Sequence, residues 1–212
     1  GKCVHSALEF LYQEKMNARM IDIDSLIEFY VKIWKENFSK DELIVNSDLS
    51  EEDYFNKGIK FLSSYYSKNY PFVEKTLATE KRIEFALDEN HQWIGFVDRL
   101  AYNDKEDVYE IHDYKTGALR TSRQLEFDRQ LALYSLALKQ EFQDNKDILL
   151  IWHYLDHDEK IILKKTREQL EKLRIQVIEL INEIENATEF SCNKSKLCNW
   201  CEFKGICPAW VK

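Results

Sequence analysis

The chain has 212 residues, of which 44% are hydrophobic, so it is long enough to bury one large core. Thirty basic and 38 acidic residues give a formal net charge of −8, which argues against a protein that coats duplex DNA non-specifically. A local basic channel on an acidic protein is still compatible with nucleic-acid binding. No segment has the length and apolarity of a membrane span, and the start does not resemble a signal peptide. We therefore expect a cytoplasmic protein with no membrane partner.

The chain begins with Gly1 rather than Met, and a helical pattern starts almost at once. We therefore expect it to be a fragment with native sequence upstream. We also expect a single domain over residues 1–212, made of a helical part (1–75), a sheet core (76–165), and a helix with a cysteine-rich tail (166–212).

Hydrophobic periodicity and turn residues predict an order of three helices, three strands, a long helix, two strands and a last helix. The predicted helices cover about 3–20, 23–38, 51–69, 122–142 and 166–186, and the predicted strands cover 81–87, 92–102, 107–115, 148–155 and 160–164. Capping boxes are predicted at Ser50 with Asp53 and at Thr166 with Gln169. This order predicts an α/β or α+β fold with a central mixed sheet flanked by helices.

Two predicted strands joined by a polar turn carry the residues with the clearest chemistry. Asp98 follows the apolar run Ile94–Val97, and the next strand ends in Asp113, Tyr114 and Lys115. Side chains alternate along a strand, so Asp113 and Lys115 share one face and Tyr114 points to the other. Converging carboxylates bind Mg²⁺ or Mn²⁺, which activate water for attack on a phosphate, and an adjacent lysine can stabilise the developing charge. The pattern predicts a phosphodiesterase site. The alternative is a weak ion pair on an exposed sheet face.

Four of the five cysteines lie close together near the end of the chain: Cys192, Cys198, Cys201 and Cys207. In a chain of this size without a signal peptide, this spacing favours a metal or a cluster in a reducing compartment over disulfides. Thiolates bind both Zn²⁺ and [4Fe–4S] clusters. The alternative is a group of buried thiols.

Five segments, in this order, make the chain resemble the PD-(D/E)XK nuclease superfamily, and most closely its RecB-type exonuclease branch. They are GKCVH at 1–5, GFVDR at 95–99, DYKTG at 113–117, QLALY at 130–134 and CNWCEFKGIC at 198–207. The resemblance implies a restriction-endonuclease-like core. It also implies kinship with the nuclease domains of helicase–nucleases and with CRISPR-adaptation exonucleases.

The resemblance implies a role for each matched residue. Asp98 and Asp113 match the metal-binding carboxylates of the family, and Lys115 matches its catalytic lysine. His5 matches the histidine that approaches the metal from the first helix, and the main-chain carbonyl of Tyr114 is a further implied ligand. On sequence alone, a histidine at this position is more often a capping or core residue.

Gln130 and Tyr134 match a Q-x-x-x-Y pair that the resemblance places near the scissile phosphate or the attacking water. Their spacing of four puts them on one helical face, which is also compatible with an ordinary helix surface. Glu80 resembles an acidic residue that often precedes the GFVDR strand, and it is equally consistent with a solvated side chain. Arg120 and Arg123 follow the D-x-K strand and are placed to touch substrate phosphates.

In the family, three tail cysteines followed by a proline complete an iron–sulfur cluster whose fourth ligand lies upstream of the first helix. This chain offers Cys192 as a local substitute, while Cys3 is less suitable because it lies beside His5 on the first helix. The resemblance therefore leaves three states open. In the first, Cys192 supplies the fourth ligand and the cluster is intact. In the second, Zn²⁺ replaces the cluster, and in the third, truncation of the chain has removed a ligand.

The function implied is that of a Mg²⁺- or Mn²⁺-dependent deoxyribonuclease. It would be an exonuclease on single-stranded or unwound DNA in repair, recombination or defence, with a helicase subunit or domain as a partner. The aromatic residues Tyr65, Tyr66 and Tyr70 suit either stacking on single-stranded DNA or helix packing. The alternatives are a non-catalytic DNA-binding or scaffold module of the same fold and a redox-sensing iron–sulfur DNA-binding protein.

Overall fold

The computed structural model describes residues 1–38 and 48–210 and contains a five-stranded sheet between two groups of helices. The helices are α1 (Lys2–Met16), α2 (Ile23–Asn37), α3 (Glu51–Asn69), α4 (Ser122–Leu125), α5 (Gln130–Phe142) and α6 (Arg167–Asn186). The strands are β1 (Lys75–Ala86), β2 (Gln92–Asn103), β3 (Val108–Lys115), β4 (Ile148–Tyr154) and β5 (Glu159–Lys164). Two 3₁₀ turns follow α6, at Lys196–Trp200 and Glu202–Gly205. Residues 39–47 and 211–212 of the predicted domain lie outside the described residues.

The strand order in the sheet is β1-β2-β3-β4-β5. β3 and β4 are parallel, and the other neighbouring strands are antiparallel. A parallel pair needs a crossover connection, which α5 provides between β3 and β4. The predicted mixed sheet flanked by helices is confirmed.

Each face of the sheet has its own hydrophobic core. α5 and α6 cover one face, where Leu131 and Leu138 pack with Ile111 of β3. α1, α2 and α3 cover the other face, where Leu8 and Leu62 are fully buried. Full burial of a leucine side chain contributes about 1.5–3 kcal/mol. The alternating side chains of the sheet are thus divided between two environments, and β3 is covered on both faces.

Side-chain caps fix where two helices begin. The Ser50 hydroxyl accepts the Asp53 N–H at 3.2 Å, and the Asp53 carboxylate accepts the Ser50 N–H at 2.7 Å. Thr166 and Gln169 form the same reciprocal arrangement at the start of α6. An N-cap residue of this type contributes about 1 kcal/mol. Both predicted capping boxes are confirmed.

The single helix predicted over 122–142 is wrong, because the chain forms α4 and α5 with a break between them. Asp128 lies in the break, and its Oδ1 accepts the N–H of Gln130 at 3.0 Å. An aspartate that bonds to the backbone in this way competes with the helical ladder and favours a new helix start. The break makes Gln130 the first residue of α5.

Two element boundaries also differ from the predictions. α1 ends at Met16 rather than near residue 20, and Ala18 just beyond it has a positive φ of 58°. β1 begins at Lys75 rather than at residue 81, and its register against β2 shifts between Thr76 and Ala78. The bulge interrupts the alternation on which the strand prediction depends. Because β1 begins earlier, Glu80 lies within the sheet.

Across residues 1–38 and 48–210, every helix is too short or too polar to serve as a membrane span.

Candidate active site

The site begins where the ladder between β2 and β3 ends. The last backbone pair is Arg99 with His112, so the next residue on each strand is Asp98 or Asp113. Beyond that pair, the N–H of Tyr114 donates to Asp98 Oδ2 at 2.9 Å. The backbone N–H of Tyr114 thus donates to the side chain of Asp98 instead of to a backbone carbonyl of β2. The two aspartates predicted from the sequence lie side by side at this edge.

α1 and β1 bring two further side chains to Asp98. His5 Nδ1 lies 3.3 Å from Asp98 Oδ2. Lys81 pairs with Val97, so the register places Glu80 opposite Asp98. One ligand atom each from His5, Glu80 and Asp98 lies within 4.8 Å of the other two. These three residues therefore form a cluster able to hold a metal ion.

Glu80 is the candidate site residue that the sequence leaves undecided. Its φ of 43° is in the left-handed region, which costs a non-glycine residue on the order of 1 kcal/mol or more. Burial raises the pKa of Glu80, and the nearby charges of Asp98 and Glu9 raise it further. A strained backbone and crowded carboxylates are features that cluster at functional sites. The signal in the sequence is its place before the GFVDR strand.

Asp113 is a buried carboxylate, with 3% of its surface exposed. Lys115 Nζ donates to Asp113 Oδ1 at 2.9 Å and lies 2.8 Å from Oδ2. Burial raises the pKa of Asp113; the Asp98 charge also raises it, whereas Lys115 lowers it. The two side chains share a face, but the pair is not the weak surface ion pair of the alternative interpretation. A buried carboxylate needs a partner to remain charged.

The donor set fits a hard divalent cation. The carboxylates of Asp98 and Glu80 lie with the His5 imidazole in one cluster, and the charge of Asp98 acts on the Asp113 carboxylate. Carboxylate oxygens with one imidazole nitrogen suit Mg²⁺ or Mn²⁺.

Gln130 and Tyr134 continue the site onto α5. Lys115 Nζ also donates to Gln130 Oε1 at 3.2 Å, and Gln130 Nε2 donates to the Tyr134 hydroxyl at 3.0 Å. A continuous chain of hydrogen bonds thus runs from Asp113 through Lys115 to α5. The structure brings these residues together, and the contact fixes the lysine on the side of the carboxylates.

The sequence model of the PD-(D/E)XK nuclease superfamily matches residues 1–208 of this chain. The chain belongs to this superfamily. A structure from Eubacterium rectale, described as that of a candidate exonuclease, superposes with a TM-score of 0.51 at 16% identity, over 90% of this chain and 80% of that one. The protein SSO0001 superposes with a TM-score of 0.40 at 15% identity, over 99% and 96% of the two chains. The sequence matches none of the curated proteins.

Membership identifies the chain as a nuclease, a hydrolase whose substrate class is DNA. The solved structure from Eubacterium rectale shares the fold at an identity too low to say more. The coarse assignment from the five ordered segments is confirmed.

Gly95 of the nuclease makes room for Tyr134. A Cβ at this position would lie 2.5 Å from Tyr134 Cε1 and 2.2 Å from the ring of Trp93. The rings of Trp93 and Tyr134 are 5.4 Å apart between centroids. The glycine of the GFVDR motif therefore sets how closely α5 approaches β2.

A buried polar network lies on the face of the sheet that α1 covers, opposite to the face of Asp113. Arg99, 1% exposed, donates to the Tyr114 hydroxyl at 3.1 Å and contacts His112 Nδ1 at 2.9 Å. Its guanidinium also packs over the ring of Tyr12, at 4.1 Å. Because arginine can only donate, His112 Nδ1 accepts, and His112 Nε2 is the donor to Glu110 Oε2 at 3.1 Å. Burial lowers the pKa of His112, and the Arg99 charge adds to this. The network ties β2 to β3 beneath the site.

The two predicted substrate-binding arginines have different surroundings. Arg120 Nη1 donates to Asp128 Oδ2 at 2.9 Å, next to the end of β3. Arg123 is exposed on the short helix α4. Of the three tyrosines considered for stacking, Tyr65 is buried in the core, where its hydroxyl contacts that of Tyr114 at 3.2 Å.

The tail cysteines are partly assembled. Desolvation raises the pKa of the Cys192 thiol, as do a hydrogen bond to Cys207 and the nearby Cys198. The Cys198 sulfur accepts the N–H of Ser195 at 3.4 Å, which lowers the pKa of that thiol. Among the described residues, no three of these sulfurs lie within 4.8 Å of one another. The thiol ligands are present, but their sulfur atoms lie farther apart than those of an assembled metal site.

Proposed function

We propose that this nuclease is a Mg²⁺- or Mn²⁺-dependent exonuclease that hydrolyses the phosphodiester bonds of single-stranded or unwound DNA. The observation that carries the proposal is the buried Asp113 carboxylate. Both of its oxygens lie within 2.9 Å of Lys115 Nζ, and the charge of the neighbouring Asp98 acts on it. This is the arrangement of charges that metal-assisted attack on a phosphate needs.

The metal ligands in the proposal are Asp98, Asp113, His5 and the Tyr114 carbonyl, with Glu80 added from the structure. When bound, the cation would lower the pKa of a bound water and stabilise the charge that builds on the phosphate. The protein's own groups then orient the reactants.

Lys115 places its amine beside Asp113, where it can donate to a phosphate oxygen in the transition state. Gln130 orients that amine through the 3.2 Å hydrogen bond and is itself held by Tyr134. Fixing the lysine before the substrate arrives removes reorganisation from the reaction step.

The proposal also covers the setting of the enzyme. We take residues 1–212 as one nuclease domain that receives DNA opened by a helicase subunit or domain, in the cytoplasm, during repair, recombination or defence. The net charge of −8 supports a strand held locally rather than a coated duplex. The four tail thiols suit a reducing compartment.

End-labelled single-stranded and double-stranded DNA, incubated with Mn²⁺ or Mg²⁺, tests this function. We expect progressive shortening of linear single strands, arrest by EDTA, and resistance of closed circular single strands because they have no end. If neither metal supports cleavage of any DNA, the nuclease proposal fails. Cleavage of the circle would overturn the exonuclease assignment.

Calorimetric titration with Mn²⁺ separates the catalytic proposal from the non-catalytic scaffold. We expect the wild-type protein to bind Mn²⁺, and Asp98→Asn to bind it at least about tenfold more weakly, because a carboxylate ligand is lost. A scaffold that keeps only the fold would show no such difference.

We also propose that Cys192, Cys198, Cys201 and Cys207 hold a [4Fe–4S] cluster or, failing that, Zn²⁺. Its role is structural, since a bound metal of this kind can supply on the order of 10 kcal/mol to folding. Metal analysis and visible absorption of anaerobically purified protein should reveal iron or zinc. Cys198→Ser should lose the metal, while Cys3→Ser should keep it. A wild-type protein that contains no metal and is as stable as before would contradict the proposal. If a chromophore is present and its reduction alters DNA binding, the redox-sensor alternative is favoured.

A further inference from the structure

A pocket of about 330 Å³ lies between α3 and the turn that joins β4 to β5. It is on the face of the sheet that α1, α2 and α3 cover, and its described lining does not include Asp98, Asp113 or Lys115. The volume is near the lower end of the range for ligand sites, so the pocket suits a small molecule. The side chains that line it include Phe61, Tyr65, Lys68, His153, Asp158 and Lys160.

A chain of buried hydrogen bonds determines where the His153 ring carries its proton. Arg99 can only donate, so His112 Nδ1 accepts, and the proton of the His112 ring is on Nε2. His153 Nε2 lies 2.9 Å from His112 Nδ1 and is therefore the donor of that bond. Burial lowers the pKa of His153, and His112 and Arg99 lower it further, so the ring is neutral. The other nitrogen, His153 Nδ1, therefore has no proton and can only accept.

His153 is 6% exposed and still lines the pocket. Within residues 1–38 and 48–210, its Nδ1 makes no hydrogen bond, and it is not among the atoms sealed from solvent. This nitrogen is the polar atom that the buried ring offers to the pocket. Buried polar groups normally have a hydrogen-bond partner. A ligand that fits therefore presents an N–H or O–H group at this point.

The wall beside His153 is aromatic. Phe61 and Tyr65 are spaced by four on α3, so they lie on one face of the helix. The ring of Tyr65 meets that of His153 edge to face, with 5.4 Å between the centroids. Aromatic walls of this kind bind flat rings by stacking or by edge contacts. The group that donates to His153 is therefore expected to belong to a planar ring.

The mouth of the pocket offers a cation. Lys160 pairs with His153 across β4 and β5, so the two side chains share a face. Lys160 is exposed and makes no ion pair among the described residues. Lys68 is already occupied, because its Nζ lies 2.5 Å from Asp158 Oδ2 and donates to the Asp158 carbonyl at 3.1 Å. The remaining lining carboxylate, Glu159, alternates with Lys160 and is turned to the other face of β5. Lys160 is thus available to an anionic group.

These features together describe a small planar ring that carries an N–H donor and an anionic group. The amino groups of adenine, cytosine and guanine are such donors, and a nucleotide adds the phosphate. Lysine binds phosphate oxygens through charge-assisted hydrogen bonds. We propose that this pocket binds a nucleoside monophosphate, with its base on His153 Nδ1 and its phosphate on Lys160. The choice of a mononucleotide rests on the proposed exonuclease function, whose product it is, whereas the chemistry of the pocket does not depend on that function.

Calorimetric titration in EDTA without DNA tests the proposal, since it measures binding when no cleavage takes place. The ligands are deoxyadenosine monophosphate, deoxyadenosine, inorganic phosphate and the purine deoxynucleoside monophosphate that lacks the amino group. Indole-3-carboxylate is added because it has a ring N–H and an anion but is not a nucleotide. The change of ligand tests the bond to His153 without altering the buried network.

We expect deoxyadenosine monophosphate to bind with a Kd on the order of 0.1 mM. Loss of the phosphate should weaken binding about tenfold, because a charge-assisted hydrogen bond is lost. Loss of the amino group should weaken it about fivefold or more, because His153 Nδ1 is left without a donor. Inorganic phosphate alone should bind more weakly than either nucleotide.

Lys160→Gln should raise the Kd of deoxyadenosine monophosphate about tenfold and leave that of deoxyadenosine unchanged. Lys164→Gln is the matched control, because Lys164 is exposed on the same strand, pairs with Asp147 and does not line the pocket. Lys115→Gln is the second control, since a nucleotide bound in the active site would be sensitive to it. Both controls should bind the nucleotide as the wild type does.

A wild-type protein that binds no nucleotide at millimolar concentration, or a Kd that Lys160→Gln leaves unchanged, would overturn the proposal. A Kd that responds to Lys115→Gln instead would also overturn it. Tighter binding of indole-3-carboxylate than of the nucleotide would overturn the choice of a mononucleotide. If the wild type binds the nucleotide through Lys160 but cleaves no DNA, the nuclease function fails and the binding site stands.

Discussion

Asp113→Asn is expected to reduce the rate of DNA hydrolysis by about a thousandfold or more, because it removes charge from the centre of the electrostatic site. The side chain keeps its size, so packing around it is preserved. The Asp113 carboxylate is 3% exposed, and burying a negative charge opposes folding. Removing that charge should therefore leave the protein folded in EDTA.

The rate is measured on end-labelled single-stranded DNA with Mn²⁺, and thermal melting is compared with and without the metal. We expect Mn²⁺ to raise the melting temperature of the wild type and to do so less in Asp113→Asn. Asp147→Asn is the matched control, because Asp147 is a half-exposed aspartate paired with Lys164 just before β4. Normal cleavage by Asp113→Asn would remove the assignment of the site.

Arg99→Met is expected to lower the free energy of unfolding by about 3–5 kcal/mol, because it breaks a buried charged network from one side. Glu110 and His112 would keep their places without the cation, and the Tyr114 hydroxyl would lose a donor. Urea unfolding in EDTA measures the change without any contribution from the metal.

Arg82→Met is the matched control, since Arg82 is half-exposed in a surface pair with Glu84 and should cost less than about 1 kcal/mol. Combining Arg99→Met with Glu110→Gln should cost less than the sum of the single changes, because both residues belong to one hydrogen-bonded network through His112. Wild-type stability of Arg99→Met would show that the network does not hold β2 and β3 together.

Short-range rules predict much of the site from the sequence. The alternation of a strand is enough to put Asp113 and Lys115 on one face, and they are in contact at 2.9 Å. The spacing of four between Gln130 and Tyr134 is enough to make them neighbours on α5, and they are hydrogen-bonded at 3.0 Å. Such patterns concern residues within one element, where backbone geometry fixes the outcome.

Those rules do not predict contacts between different helices and strands. The break of the predicted helix at Asp128 depends on a side-chain-to-backbone bond that competes with helix propensity. The role of Arg99 cannot be predicted from its neighbours in sequence, because a charged residue beside the first aspartate is expected to be exposed until its partners from β3 and α1 are known. These partners are far from Arg99 in the sequence, so local sequence patterns do not reveal them.

The sequence by itself determined the family, through five ordered segments, and the residues Asp98, Asp113 and Lys115 with their shared strand hairpin. The tertiary structure alone decided that Glu80 joins His5 and Asp98 in one cluster, and that Trp152 of β4 lies opposite Asp113 of β3. The physical reason is register. Periodicity tells which way a side chain points from its own strand, but only the pairing of strands, with the bulge in β1 and the crossover through α5, tells which side chains it meets.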